Sequence, residues 1–405
     1  MADKGAPAPR RYIAAHNRDR DFYQLAVALA EKDALFRLIT DYHIDEGSLA
    51  YRALLRRVIR NRATSPLDRT LIDNDWAAVA WQMAATRLFP ADYDWGNRCD
   101  KILAAHVRRL ARRNPSVGLF LYHNLAFEAF TDPALADRAK ALFVFHPHSR
   151  YNHAILKADY DLYGIGAYSL TEEAPVSERM DRLDTEIALA DHVLCASSFT
   201  ARSIAASNVN HRPVTVVPYG AVPGRSAYRP REGDAGPVRF LFVGQAVQRK
   251  GIHHLLKVWR GLPTAGIELT LVCSNDRENI LHDLPPNVIV KSHLPIDALI
   301  REFQTAHCFL LPALVEGFGL VLLEALQAGC YTIFSDATGL ADCAVPDYAG
   351  QEVAAGDLDG LAAAIEQAVD RVATGRVDHR AIADFADTLS ADAFRRGIQA
   401  VLETL

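Results

Sequence analysis

The chain is poor in the features that mark several protein classes. Its 405 residues include six cysteines, Cys99, Cys195, Cys273, Cys308, Cys330 and Cys343, with no C-x-x-C spacing. Several sit inside apolar runs, so they read as small reduced core residues rather than a disulfide framework. No His or Cys group has zinc spacing, and no metal is expected. The apolar runs ALFVF (141–145) and CFLLPALV (308–315) fall far short of the roughly 20 residues needed to cross a bilayer. The opening MADKGAPAPRR has no apolar h-region, which predicts a cytoplasmic protein with a frayed tip and no secretory signal. Fixed-period repeats and low-complexity tracts are absent. So is the interleaving of basic and aromatic residues that a single-strand groove uses, which sets nucleic acid aside.

What is present is a globular mixture, 50% hydrophobic and 23% charged, unlike the composition of disordered chains. The length argues for two domains or three small ones. Net charge is −5, unevenly divided, because residues 1–150 carry 23 Lys plus Arg against 17 Asp plus Glu. Much of that excess lies in RALLRRVIRNR (52–62) and HVRRLARR (106–113). Arginine at helical spacing reads as two solvated helix faces; the sharper alternative is peripheral contact with anionic lipid at the inner face of the membrane, or with an acidic acceptor.

Short β-rich runs alternate with helical patterns from end to end, the signature of an α/β protein with parallel sheets. Strands are expected at 12–15, 35–40, 117–122, 141–145, 192–196 and 214–217. A Gly-, Pro- and Arg-rich stretch at 221–237 reads as a linker. The pattern restarts at 238–243, 267–273, 288–291, 308–312 and 331–334. The division is therefore a first Rossmann-like domain over 1–218 and a second over 219–389. A helix at about 390–405 packs away from the domain before it. Two doubly wound domains place a ligand at their strand ends, in the cleft between them.

Two segments carry chemistry. In ALVEGFGLVLLEALQAG (313–329) a glycine-bracketed turn enters a helix that is apolar almost all round, which predicts a poorly hydrated Glu324. The amides of Gly317, Phe318, Gly319 and Leu320 would lie free at that helix N-terminus, where donors and dipole favour an anion such as a diphosphate. The bland alternative is that Glu316 simply favours the dipole and Glu324 pairs with a core arginine. In FLFVGQAVQRKGIHHLLKVW (240–259) a loop runs from Gly244 to Gly251, with Arg249 and Lys250 next to a helix start. Cations there oppose the dipole, and an anionic ligand would relieve the conflict. The spacing is neither G-x-x-x-x-G-K-[ST] nor G-x-G-x-x-G. D-x-D occurs at Asp92–Asp94 and Asp159–Asp161, and three-residue matches arise by chance.

VGQAVQRKG followed by EGFGLVLLEALQAG, with Glu316 and Glu324 framing E-x7-E, resembles the family 4 retaining glycosyltransferases of the GT-B fold. ALADHVLCASSFTARSI (188–204) with VVPYG (216–220) is similar to the end of that family's first domain, and the family's last helix crosses back to that domain. The resemblance implies a nucleoside diphosphate sugar as donor substrate, with no separate cofactor, bound mainly by the second domain. Glu324 would accept from the ribose and Glu316 would hold the sugar near its reacting carbon. Arg249 and Lys250 would clamp the diphosphate with the Gly319 and Leu320 amides, beside Gly244, Gly317 and Phe318. Ser292, His293 and Leu294 would lie near the base. Gln245 departs from the family, many members of which have Arg there. In the first domain His146 and His148, after the strand ALFVF, are both candidates to contact the sugar. The loop 16–29, with Arg18 and Arg20, resembles the acceptor-facing loop. The implied activity is transfer of a hexosyl unit to a hydroxyl of a saccharide or lipid-linked acceptor. The alternatives are a sugar-nucleotide epimerase of the same fold and a non-catalytic sugar-nucleotide-binding protein.

Overall fold

The structure is a computed structural model that describes residues 10–17, 21–43, 66–88, 95–173, 177–222, 226–231, 236–274 and 276–405. Among these, β-branched and aromatic runs form two parallel sheets. The first contains β1 (Tyr12–His16), β2 (Leu35–Thr40), β3 (Ile72–Asn74), β4 (Gly118–Tyr122), β5 (Lys140–Val144), β6 (His192–Cys195) and β7 (Val214–Val216), in the order β3-β2-β1-β4-β5-β6-β7. The second contains β8 (Val238–Gly244), β9 (Ile267–Cys273), β10 (Val288–Lys291), β11 (Cys308–Leu311), β12 (Tyr331–Ser335) and β13 (Gly350–Val353), in the order β10-β9-β8-β11-β12-β13. Strands covered on both faces need unbroken apolar sequence, and β4, β5 and β11 are buried at every position. The edge strands β3 (IDN) and β13 (GQEV) are short and polar, which is why the apolar runs do not announce them.

Sheet building reverses direction between β1 and β4, and again between β8 and β11. These are the switch points where loops at the carboxyl ends diverge and leave a crevice. The cysteines are free and all but half-buried Cys343 are buried; burial pushes the Cys195, Cys273 and Cys343 thiols up to about 12. The basic stretch 106–113 belongs to the helix Trp95–Arg113. That helix buries Leu103, Val107 and Ala111 and turns Arg108, Arg109, Arg112 and Arg113 to solvent. Arg112 makes two hydrogen bonds to Asp132, at 2.6 and 2.8 Å. The stretch 52–62, Arg18, Arg20 and Asp92–Asp94 lie outside the described residues.

The chain crosses between the sheets twice, side by side. The Ala221 amide donates to Leu389 O at 2.6 Å and the Ala391 amide to Ala221 O at 2.9 Å. The helix Ala391–Leu402 then lies against the helix Gln24–Ala30 of the first sheet. Phe394 meets Phe143 and Tyr219 at ring separations of 6.0 and 5.2 Å, and Arg395 donates to Gln24 Oε1 at 2.6 Å. At the crossing Gly220 is required by closeness, since a Cβ there would stand 2.0 Å from Ser390 O. Gly220→Ala should therefore push two backbones apart. Its melting temperature is expected to fall by about 2–4 °C for each kcal/mol lost, and a melting curve identical to that of the parent would contradict this packing.

Candidate active site between the two sheets

Both motif loops leave the second sheet at its switch point, residues 244–251 after β8 and 312–319 after β11. Their backbones are tied together: the amides of Leu314 and Val315 both donate to Arg249 O, at 2.9 and 3.1 Å. Gly251 makes the fit possible. It adopts φ +69°, and a Cβ would meet Pro312 O at 1.8 Å. Arg249 and Lys250 are thereby held in a short 3-10 turn, Gln248–Lys250, beside the chain that carries Glu316.

Lys250 Nζ donates to Glu316 Oε2, and an Arg249 guanidinium nitrogen lies 3.8 Å from the same oxygen. All three side chains are largely buried, 14–17% exposed. Burial alone would raise the Glu316 carboxyl, but the Lys250 ammonium and the Arg249 guanidinium override it and hold it at about 2. A pair of opposite charges about 4 Å apart attracts by about 4 kcal/mol at an effective dielectric near 20, so two such neighbours can outweigh a desolvation cost of several kcal/mol. Burial, with Arg249 beside it, pulls the Lys250 ammonium down against the attraction of Glu316. Two cations thus share one carboxylate. Gln245, where charge was expected by resemblance, accepts from Arg249 at 3.4 Å through Oε1.

Across the cleft stands His146, just beyond β5. Its Nε2 is 2.9 Å from Glu173 Oε1, and Asn152 Nδ2 donates to the other carboxylate oxygen at 3.1 Å. Burial opposes ionisation of Glu173, yet His146, Asn152 and Arg249 bring its carboxyl to about 2. His148 is placed elsewhere. It is fully buried, its Nε2 2.8 Å from Asp184 Oδ1 and its Nδ1 accepting from the Arg150 amide at the start of the helix Ser149–Tyr163. Burial pushes its pKa below the usual value, which suits a neutral ring that caps a helix and does not reach the cleft.

The helix Leu320–Gln327 begins at Gly319, φ +86°. The Leu322 amide donates back to Gly319 O at 2.9 Å, and the Gly317 amide, expected to be free, donates to Glu316 Oε1 at 3.2 Å. Phe318 contributes backbone only, because its ring is buried edge-on to Tyr219 at 5.6 Å. Leu320, Val321, Glu324 and Gln327 are partly exposed along one face of the helix. Glu324 is half-buried: the i, i+1, i+4, i+7 spacing places it on the partly exposed side while Leu322, Leu323, Ala325 and Leu326 enter the core. Gly244 ends β8, and a Cβ there would make only ordinary contact with Phe242. Ser292 and His293 are exposed and Leu294 half-buried, at the carboxyl end of the edge strand β10.

The two halves of the site are joined directly. Ser197 Oγ donates to Gly317 O at 2.6 Å, the Ser198 amide donates to Asp342 Oδ2 at 2.7 Å, and a Cβ on Gly317 would stand 2.2 Å from Phe145 O. Leu156 and Phe199 of the first domain pack with Leu314, Val315 and Ala337 of the second. Glu173, Ser197 and Asp342 escaped the sequence reading. Ser197 alone carried a local sign, as a serine at the head of a helical run.

With that geometry in hand, the chain can be set beside known proteins. Residues 226–375 match the family of glycosyl transferases group 1. Glycogen synthase of Mycobacterium tuberculosis is 29% identical over 176 residues, 42% of either chain, so the match spans less than half the length of that relative. Sucrose-phosphate synthase from Thermosynechococcus elongatus superposes over 98% of this chain and 99% of its own with a TM-score of 0.68 at 16% identity. Anabaena HepE, solved with UDP and glucose, covers 98% and 100% with a TM-score of 0.61 at 13% identity. The fold is GT-B. In its terms the first domain supplies His146 and Glu173, and the second supplies the cation pair, Glu316 and the Leu320–Gln327 helix. Among the described residues no helix is long and apolar enough to cross a membrane.

Carboxyls depressed in the folded state stabilise it above their unfolded value and lose that contribution as pH falls through the folded value. Glu173 and Glu316 move from 4.5 to about 2. The melting temperature should therefore fall as pH drops from about 4.5 toward 2. Glu173→Gln should flatten that fall; an unchanged pH profile would contradict the ionised pairing with His146.

Proposed function

We propose that this protein is a retaining glycosyltransferase of the family 4 type, which moves a hexosyl unit from a nucleoside diphosphate sugar to a hydroxyl of a saccharide or lipid-linked acceptor. The observation that carries this reading is the convergence of Arg249 and Lys250 on the single carboxylate of Glu316, beside the start of the helix Leu320–Gln327. One positive charge is left over, in a largely dry place, at the switch point of a sheet. The complex of HepE with UDP and glucose supports the same donor class here.

As the bond from the anomeric carbon to the diphosphate breaks, negative charge grows on the departing phosphate and positive charge on the sugar ring. Cations already fixed in place lower that barrier because they need no reorganisation during the step. Arg249 and Lys250 fill this role, with the Gly319 and Leu320 amides and the helix dipole adding to it. Glu316 accepts from the sugar hydroxyls. His146, oriented by Glu173, meets the sugar from the opposite wall, and Glu324 accepts from the ribose hydroxyls on the open helix face. The acceptor hydroxyl attacks from the side the phosphate leaves, which retains configuration and lets the phosphate take the proton. A closed cleft keeps water from competing.

A panel of nucleoside diphosphate sugars tests this reading. Release of nucleoside diphosphate with transfer to a hydroxyl is expected. Isomerised donor would point to an epimerase, and binding without turnover to a non-catalytic protein. Lys250→Ala should lower kcat by about 10²–10³, and undiminished turnover would remove it from the site. Glu316→Gln leaves two cations without their carboxylate, so it should bind free nucleoside diphosphate at least as tightly as the parent while turnover collapses. Weaker binding of the diphosphate by that variant would contradict the charge arithmetic.

A further inference from the structure

We propose that Asp159, His253 and His254 form a binding site for a divalent transition-metal ion such as Zn²⁺, set between the two domains behind the Gln248–Lys250 turn. Asp159 comes from the helix Ser149–Tyr163 of the first domain. The two histidines come from the first turn of Ile252–Gly261 in the second. His253 Nε2 lies 2.9 Å from Asp159 Oδ2 and His254 Nε2 lies 2.7 Å from Oδ1. All three residues are buried, and their three donor atoms lie within 4.8 Å of one another.

A hydrogen-bonded cluster accounts for only part of this arrangement. His253 has hydrogen-bond geometry toward Asp159, as does Gln248, whose Nε2 donates to Oδ2 at 2.7 Å. His254 does not. Its Nε2 pairs with Asp159 Oδ1 at 2.7 Å but off the line of a well-formed hydrogen bond, in a residue only 2% exposed. A buried imidazole nitrogen held against a carboxylate at poor hydrogen-bond geometry is suited to share a cation. Two imidazoles and a carboxylate are a donor set that first-row divalent ions accept. Zinc holds such donors at about 2.0–2.2 Å, hence about 3.3 Å from one another, so each histidine–carboxylate pair need open by only about half an ångström. The rings lie side by side, tilted by 42° with centroids 4.0 Å apart, and Tyr163 is edge-on to both at 5.9 and 4.9 Å. A water would complete four-coordination.

The ion would be structural. It would lock the two domains together through ligands from both and brace Gln248, the residue before Arg249, while taking no part in bond breaking. The inference does not depend on the proposed transferase activity. The three ligands show no motif in sequence because Asp159 and His253 stand 94 positions apart.

The test uses the tag-free full chain stripped with EDTA. Equilibrium dialysis against Zn²⁺ should give one equivalent per chain with micromolar or tighter affinity, and the melting temperature should rise with zinc. Co²⁺ in its place should show the visible absorption of a four- or five-coordinate ion. His254→Gln, with folding checked by circular dichroism, should weaken zinc binding at least about tenfold, as should Asp159→Asn. Absence of stoichiometric zinc, or equal affinity in both folded variants, would overturn the site. Should the variants fail to fold, a cobalt spectrum of the parent matching the hydrated ion would overturn it alone.

Discussion

The site turns on a charge imbalance that the fold holds in place. Arg249 and Lys250 face one carboxylate, Glu316, in surroundings too dry for water to screen the surplus. Breaking such a buried group by removing one partner costs about 3–5 kcal/mol, so the three residues stand or fall together. Their positions are not a property of any one side chain. The Arg249 carbonyl, by accepting from Leu314 and Val315, ties the loop after β8 to the loop after β11. Gly251 allows that approach only because it has no Cβ. The switch point of the sheet is what brings the two loops to one place.

The same loops reach the first domain. Gly317, one residue past Glu316, rests on the backbone at Phe145 and receives the Ser197 hydroxyl, so the charge cluster and His146 are registered against each other by main-chain contacts. Glu173 extends the network, since its ionisation responds both to His146 and to Arg249 of the opposite domain. The double crossing at Gly220–Ala221 and Leu389–Ala391 keeps the hinge short, and the helix Ala391–Leu402 fastens the end of the chain to the first sheet.

Much of this was legible in the sequence. Parallel strands buried on both faces must be apolar throughout, so β1, β2, β4–β6, β8, β9, β11 and β12 stood out as runs, the β-branched edge strands β7 and β10 were legible by composition, and the glycines at 251, 317 and 319 marked where backbone had to approach backbone or turn left-handed. Short polar edge strands gave no such sign. Spacing did not separate His146 from His148, because both follow one strand by a few residues; only the fold reveals that one is spent on capping a helix and on Asp184. Nor did pattern alone find Glu173, which meets His146 within the first domain from 27 residues away, or pair Asp159 with His253, which meet across the domain interface from 94 residues apart. The half-exposed position of Glu324 was obscured for a different reason: an apolar helix composition does not say which narrow face is left partly open.

The account's central claim is that the surplus positive charge at Arg249 and Lys250 exists to receive a diphosphate. The most direct measurement is a crystal structure of the protein with a bound nucleoside diphosphate. The claim predicts the terminal phosphate within hydrogen-bonding distance of Arg249, Lys250 and the amides of Gly319 and Leu320, with the ribose on Glu324. A diphosphate seated elsewhere, with the Lys250–Glu316 pair undisturbed and untouched, would contradict it.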